Sequence, residues 1–461
     1  MKTIRDPQQL LSDGLAAVRA QFQVPADFPP AVLAAAQRAA QRTPSAHVDR
    51  TDQAFVTLDP APSTDLDQAF ALESANADLL LHYAIADVAW FVDDGDPVDL
   101  EAWRRGVTTY LPDGKASLYP PVLCENAASL LPDGPRPAVV FVVRVAQDGA
   151  VRLDGAERAL IRSRAKLAYD TVTPDALPPA FAELARRIGA AEERRGAARV
   201  DPPEQEVERG EDGRFTLTLR PQLASEQSNA ALSLACNLAI ADALLAAHTG
   251  LFRVMAPPDP HAVARLRHTA VAFGIDWPAA MDLGRLEKQL DPADPRQAAF
   301  MLAIRRAGTG ASYQAYQDGV TPWHAAMAAT YAHGTAPLRR LADRYVVRAA
   351  LTVANGQPVP AAVTDAFSRL PAVMARAEAR ENQIERAVID LAETAFLSGR
   401  EGEVFDAVVT DVGESGARFQ LCDAPVVARA VAHNVQPGAK IRVRLLAADT
   451  DRRALQFERL S

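Results

Sequence analysis

Apolar residues recur at helical spacing in two short stretches near the start of the chain, DPQQLLSDGLAAVRAQF and PPAVLAAAQRAAQR, and Pro29-Pro30 marks a helix start. They predict a small helical module over residues 1–50, either a helix-turn-helix-like nucleic-acid binder or a plain packing module. From about Phe55 to Arg144 the period shortens. AFVTLD, LLLHYAIADVAWFV and PAVVFVVRV are apolar runs bounded by turn signals such as DDGDP and LPDG, and they predict strands. Helical spacing dominates from about Ala176 to Leu397. The chain then alternates again in EVFDAVVTDV, ARFQL, KIRVRLLAAD and RRALQFERL, separated by GESG, VQPGAK and DTDR turns. Ile441, Val443 and Leu445 take one face of their strand, Arg442 and Arg444 the other. About five strands in about sixty residues suit a small closed barrel of the OB type. The predicted fold class is α+β and multidomain: the helical module 1–50, a large mixed α/β domain over 51–398, and an OB-fold β-barrel over 399–461.

Composition changes this picture little. The chain has 461 residues, 49% hydrophobic and 23% charged, which is ordinary for a soluble globular protein with room for several domains. MKTIRDPQQLL has no apolar h-region and does not read as a signal peptide. The stretch NAALSLACNLAIADALLAAHTGLF carries Asn237 and Asp242 and reads as a buried helix, not a membrane span. Cys124, Cys236 and Cys422 are scattered, form no zinc or redox motif, and suit a reducing cytoplasm. With a net charge of −9, any nucleic-acid site must come from a local cluster of basic residues.

Two stretches carry candidate chemistry. The first is TLDPAPSTDLDQAF, residues 57–70. Every charged side chain from Thr51 to Glu101 is acidic, so the repulsion among Asp59, Asp65 and Asp67 calls for an added positive charge. In an extended DLD segment Asp65 and Asp67 project to one side, and Asp59 can fold back through the Pro60/Pro62 loop. Three converging carboxylates make a hard-oxygen site suited to Mg²⁺ or Mn²⁺. The bland alternative is a solvated loop of Asx-turns. The second stretch is YAHGTAPLRRLADRYVVR, residues 331–348. Pro337 suits the first turn of a helix, with Thr335 or Ala336 at the cap. Arg340, Arg344 and Arg348 then share a face and Arg339 lies at the N-terminal end, where phosphate binds well. The alternative is a surface helix with i,i+4 salt bridges, such as Asp343 with neighbouring arginines. Together, metal-holding carboxylates and phosphate-holding arginines are the two halves of a phosphodiester-cleaving site.

On these blocks, with AIADVAWFVDDGDPVDLEAWRRGVTTYLPDG, ENAASLLPDGPRPAVVF, KLAYDTV, RRGAARVDPPE, GLFRVMAPPDP and IERAVIDLAE between or after them, the chain from about Arg50 onward resembles the ribonuclease II (RNB) family of 3′-to-5′ exoribonucleases. The C-terminal strands resemble that family's ribosomal-S-one-type barrel. The resemblance implies a monomer, acting on RNA and on no membrane. A single-stranded 3′ end threads into a channel, a Mg²⁺-activated water attacks, and 5′-nucleoside monophosphates are released. It implies metal and catalytic roles for Asp59, Asp65 and Asp67, phosphate binding by Arg339, and a place for Glu385 near the catalytic centre. It implies base stacking by Tyr110 and RNA contact by Tyr169, and it adds to the case for Arg340 and Arg344 as RNA-binding residues.

Several positions depart from the family pattern. Gln68 stands where a fourth acid is usual, and offers a neutral oxygen but no charge. Ala230 and Ala231 replace paired glutamates, Ala84 replaces a histidine, and HFTSPIRR becomes HGTAPLRR. The family usually carries two cold-shock barrels ahead of the catalytic domain, and fifty helical residues do not hold even one. The mouth of the channel is therefore expected to admit a duplex with a short 3′ overhang more readily. The leading reading is an active Mg²⁺-dependent exoribonuclease. The alternative, suggested by Gln68, Ala230 and Ala231, is an RNA-binding protein of the same fold without catalysis. Action on DNA is disfavoured because the barrel and channel resemble those of RNA enzymes.

Overall fold

Seven strands form the central sheet of the computed structural model, which describes residues 2–4, 10–197, 204–209, 215–220, 222–291, 294–308, 310–413, 416–431 and 435–460. Across the sheet the order is Ser163–Ala168, Phe55–Asp59, Gln68–Ala75, Asp78–Ala86, Arg136–Val145, Val151–Ile161 and Val48–Asp49. The two outermost pairings are parallel and the inner ones antiparallel. Phe55, Val56, Thr57 and Leu58 are all buried, so this strand reads as a continuous apolar run and carries its terminal Asp59 out of the core. The apolar helix Ala224–Ala246 passes beneath the sheet with Leu341–Ala354 beside it. Although long and apolar enough to cross a membrane by composition, Ala224–Ala246 is mostly buried within the fold.

Some elements differ from the sequence reading. LLLHYAIADVAWFV is a strand only to Ala86, after which Asp87 stands at the start of a short helix, Val88–Phe91. The strands Val151–Ile161 and Ser163–Ala168 escape a search for apolar runs because Arg152, Asp154, Glu157 and Arg164 interrupt them. The hairpin Glu204–Arg209 with Phe215–Arg220 interrupts the region expected to be helical, and residues 198–203 of RRGAARVDPPE lie outside the described residues. The N-terminal helices do form, as Leu10–Gln21 and Pro30–Ala40. They are not a helix-turn-helix unit, because they pack into two different cores. Leu11, Leu15 and Val18 join Ile384, Val388 and Leu391, whereas Val32, Ala36 and Ala39 join the main core.

The barrel is closed in the order Val404–Gly413, Gly416–Leu421, Val427–Val431, Ala454–Arg459 and Lys440–Asp449. Ile441, Val443 and Leu445 fill its interior, while Arg442 and Arg444 face outward. One helix links all of these parts. Ala361–Leu397 has 37 residues, about 55 Å at 1.5 Å per residue. Its start, including Phe367, Leu370 and Met374, lies in the main core. Its last third, from Ile384 to Ala395, holds the first N-terminal helix, and Leu397 enters the barrel core.

At the barrel end of this helix, Glu393 Oε1 accepts from Gln205 Nε2 at 2.6 Å and from Val427 N at 2.8 Å, joining helix, hairpin and barrel. Burial pushes the Glu393 carboxyl up from its ordinary 4.5 to about 8. The folded chain then holds this proton more tightly than the unfolded chain does. The associated stability is complete below about pH 4.5 and is lost as pH rises through about 8. Glu393→Gln should therefore raise the melting temperature relative to the parent at pH 8.5 and much less at pH 5. A difference independent of pH would contradict this.

Candidate active site

The acidic loop is held by its one apolar residue. Leu66 is fully buried between Asp65 and Asp67, so the two acids leave the chain on the side opposite the core residue. Ser129 ties the loop down, accepting from Leu66 N at 2.9 Å and donating to Thr64 O at 2.7 Å. Asp67 Oδ1 accepts from Leu338 N at 2.6 Å, and Oδ2 lies 3.5 Å from Arg339 Nε. Asp65 turns elsewhere. Its Oδ1 accepts from Lys115 Nζ at 2.7 Å and its Oδ2 from the Tyr110 hydroxyl at 2.9 Å. The three carboxylates therefore do not gather into one ligand cluster, and among the described residues no three His, Cys, Asp or Glu side chains do so. Gln68 is also engaged, accepting from the Tyr83 hydroxyl at 2.5 Å.

The arginine stretch is not a helix at its start. Pro337, Leu338 and Arg339 form a turn, and the helix begins at Leu341 with Arg340 at its cap. Asp343 shapes that turn. Its carboxylate is fully buried and accepts from Thr335 N, Ala336 N and both ends of the Arg340 fork at 2.8 to 3.1 Å. On the other side Arg339 O accepts from Thr108 N, and Leu341 N donates to Gly106 O. The turn thereby presents Arg339 with 48% of its side chain exposed. Arg340 and Arg344 are corrected from RNA-binding to structural. Arg340 is committed to Asp343, and Arg344 is fully buried, paired with Asp99 and bonded to the Tyr345 hydroxyl at 2.6 Å. Arg348 is paired with Asp94 at 2.6 Å.

Arg339 lines a cleft of about 690 Å³ together with Gln68, Tyr110, Tyr169, Asn229, Ala230 and Glu385. Tyr110 is about half exposed. Tyr169 is packed against the core, its hydroxyl accepting from Asn229 Nδ2 at 2.8 Å. Glu385 comes from the long helix, and Ala231 is buried. A second cleft of about 670 Å³ adjoins the first at Gln205, Glu385 and Ile389 and runs between the long helix and the barrel. Arg386, Arg418, Arg429 and Arg453 line it. Sequence reading missed Lys115, Asn229 and the anchoring role of Asp343. For Lys115 the signal was present: the LPDG turn sets it directly opposite Tyr110 in the hairpin Thr109–Leu111/Gly114–Ala116.

The donor set fits a hard divalent cation. Asp59 Oδ2 is buried with no hydrogen-bond partner among the described residues. Burial pushes Asp59 up to about 6 and Asp67 up to about 8, opposed in both by the Arg339 charge. Two largely buried carboxylates that share one opposing arginine are oxygen donors of the kind a hard divalent cation takes.

The two kinds of arginine separate by stability. Arg344→Ala leaves Asp99 buried and unpaired and should cost about 3–5 kcal/mol. Arg339→Ala removes a half-exposed side chain and should stay within about 0.5 kcal/mol of the parent in denaturant melts. Equal effects would contradict the assignment.

Comparison with known proteins identifies the family. Residues 47–355 match the RNB domain, and residues 403–460 match the RNase II-type exonuclease C-terminal S1 domain. Ribonuclease R of Thermotoga maritima is 26% identical over 438 residues, covering 88% of this chain and 61% of that protein. Exoribonuclease 2 of Serratia proteamaculans is 28% identical over 415 residues, covering 82% and 62%. The chain thus spans about three-fifths of the length of these curated relatives. Mycoplasma genitalium RNase R, solved in complex with ribose methylated single-stranded RNA, superposes with a TM-score of 0.86 at 19% identity, over all of this chain and 79% of that one. From the extent of the domain match, this chain is a member of the RNB family, with an S1-type barrel at its C-terminal end.

Proposed function

We propose that the chain is a divalent-metal-dependent 3′-to-5′ exoribonuclease that hydrolyses single-stranded RNA from its 3′ end to 5′-nucleoside monophosphates. One observation carries this reading. Tyr110 and Arg339, from distant stretches of sequence, line one cleft with their side chains about half exposed, and the buried carboxylate of Asp67 stands 3.5 Å behind the Arg339 guanidinium. The relatives' names, ribonuclease R and exoribonuclease 2, point the same way.

Each side chain has a task set by its surroundings. Arg339 has no full-strength ion pair and presents its guanidinium to the cleft, where it can hold a phosphate in a fork. Tyr110 offers a ring face to a base, and stacking of this kind tolerates any sequence. Tyr169 and Glu385 line the same cleft, along the path a strand would take. Arg386, Arg418, Arg429 and Arg453 give the adjoining cleft the local positive charge that the net −9 chain lacks overall, and guide the RNA backbone. A Mg²⁺ ion, or Mn²⁺ in its place, supplies Lewis acidity for phosphodiester hydrolysis when held by Asp59 and Asp67.

A second reading, RNA binding without catalysis, draws support from Gln68 and Asp65, whose oxygens already carry protein donors. A time course with 5′-labelled single-stranded RNA separates the two. Progressive shortening from the 3′ end in Mg²⁺, abolished by EDTA, is the expected result. Intact RNA that still shifts on a native gel would favour the binding protein.

A further inference from the structure

The charge balance around Asp65 differs from that around its neighbours. Tyr110 and Lys115 are directly opposed across the hairpin, and opposed residues of an antiparallel pair share a face. Both reach Asp65, so each of its oxygens carries a protein donor. Lys115 also lies 3.0 Å from Glu125, and only 21% of its side chain is exposed. The hairpin is braced from behind. Arg19, on the helix Leu10–Gln21, forks onto Asp113 at the hairpin turn at 2.8 and 3.1 Å. Leu111 packs in the same cluster as Leu11 and Leu15. Lys115 is therefore a placed cation and not a wandering surface lysine. Among the described residues no lysine is in ion-pair contact with Asp59 or Asp67; Lys166, bonded to Ala61 O at 2.8 Å, acts on Asp59 only from a distance. Asp59 Oδ2 lacks a partner among the described residues, and the cation facing Asp67 is the half-exposed Arg339, whose Nε stands 3.5 Å away.

We infer that Lys115 is a resident cation of the site: its ammonium neutralises Asp65 in place of a second divalent ion, so the chain binds one divalent ion where a four-acid site would hold two. The inference rests on the metal-dependent reading above. With Lys115 in direct contact with Asp65, Asp59 and Asp67 are the two carboxylates left for a single divalent ion. Arg339 then stays available for phosphate. A lysine suits the task because its charge is compact and strongly hydrated, closer to a small metal ion than the planar guanidinium is. Gln68 fits the same scheme, because a fourth carboxylate would restore the excess charge that a second ion answers.

Mn²⁺ binding to the full chain without RNA tests this, counted by the spin resonance of free Mn²⁺ and by calorimetry. The parent should bind one ion per chain. Lys115→Met keeps the stem and removes the charge, and should bind Mn²⁺ about tenfold tighter or take a second ion. Lys115→Arg should behave as the parent. The double variant Gln68→Asp with Lys115→Met should take two ions. A parent that binds two ions overturns the inference, as does a Lys115→Met variant with the parent's stoichiometry and affinity. A parent that binds none overturns the metal-dependent reading itself. If the variants fail to fold, the parent's stoichiometry alone decides.

Discussion

The buried carboxylate of Asp67 accepts a hydrogen bond from the backbone of Leu338, 271 residues away in sequence. This contact couples the two loops on which the cleft depends. On one side Leu66 and Ser129 fix the acid. On the other, Asp343 gathers Thr335 N, Ala336 N and Arg340, so that the turn through Leu338 and Arg339 has one shape. Burying a carboxylate is costly unless donors or cations meet it. Asp67 has one strong N–H donor and one arginine at the limit of ion-pair range, and its raised proton affinity reflects what is still lacking. The same imbalance is what the proposed divalent ion would relieve.

The larger architecture keeps this pair of loops in place and connects it to a surface able to carry a polyanion. The helix Ala361–Leu397 passes through the main core, the N-terminal cluster and the barrel core, so the barrel cannot drift independently of the central sheet without disturbing all three. Its residues Glu385 and Ile389 line both clefts. The first N-terminal helix has a matching role on the other side. Through Arg19 and Leu15 it supports the hairpin that presents Tyr110 and Lys115. A positively lined groove on an acidic chain is thus a matter of local placement, with arginines of barrel and helix facing one cleft.

Much of this was legible in the sequence because local pattern and global fold agree. The alternation at Ile441, Val443 and Leu445 gave the barrel, and the unbroken run at Phe55–Leu58 gave a central strand. The acidic loop and the HGTAPLRR stretch announced the cleft by chemistry that folding alone does not require. The failures have physical causes. Spacing put Arg340 and Arg344 on one helix face but could not say that Asp343 and Asp99, the latter distant in sequence, would claim them. Convergence of three aspartates followed from period two and charge, but Lys115 on a separate hairpin captured one of them. The helical reading of residues 1–50 found two helices and missed that each belongs to a different core, since a core is a property of partners.

The most direct test of the central role of Asp67 is Asp67→Asn, measured for stability, RNA affinity and cleavage together. The amide keeps the oxygen that accepts from Leu338 N while removing a charge that burial disfavours. The variant should be at least as stable as the parent and should bind single-stranded RNA nearly as tightly. Its cleavage should fall by about a thousandfold or more. Cleavage within about tenfold of the parent would contradict the account, because the buried charge would then not be what the site uses.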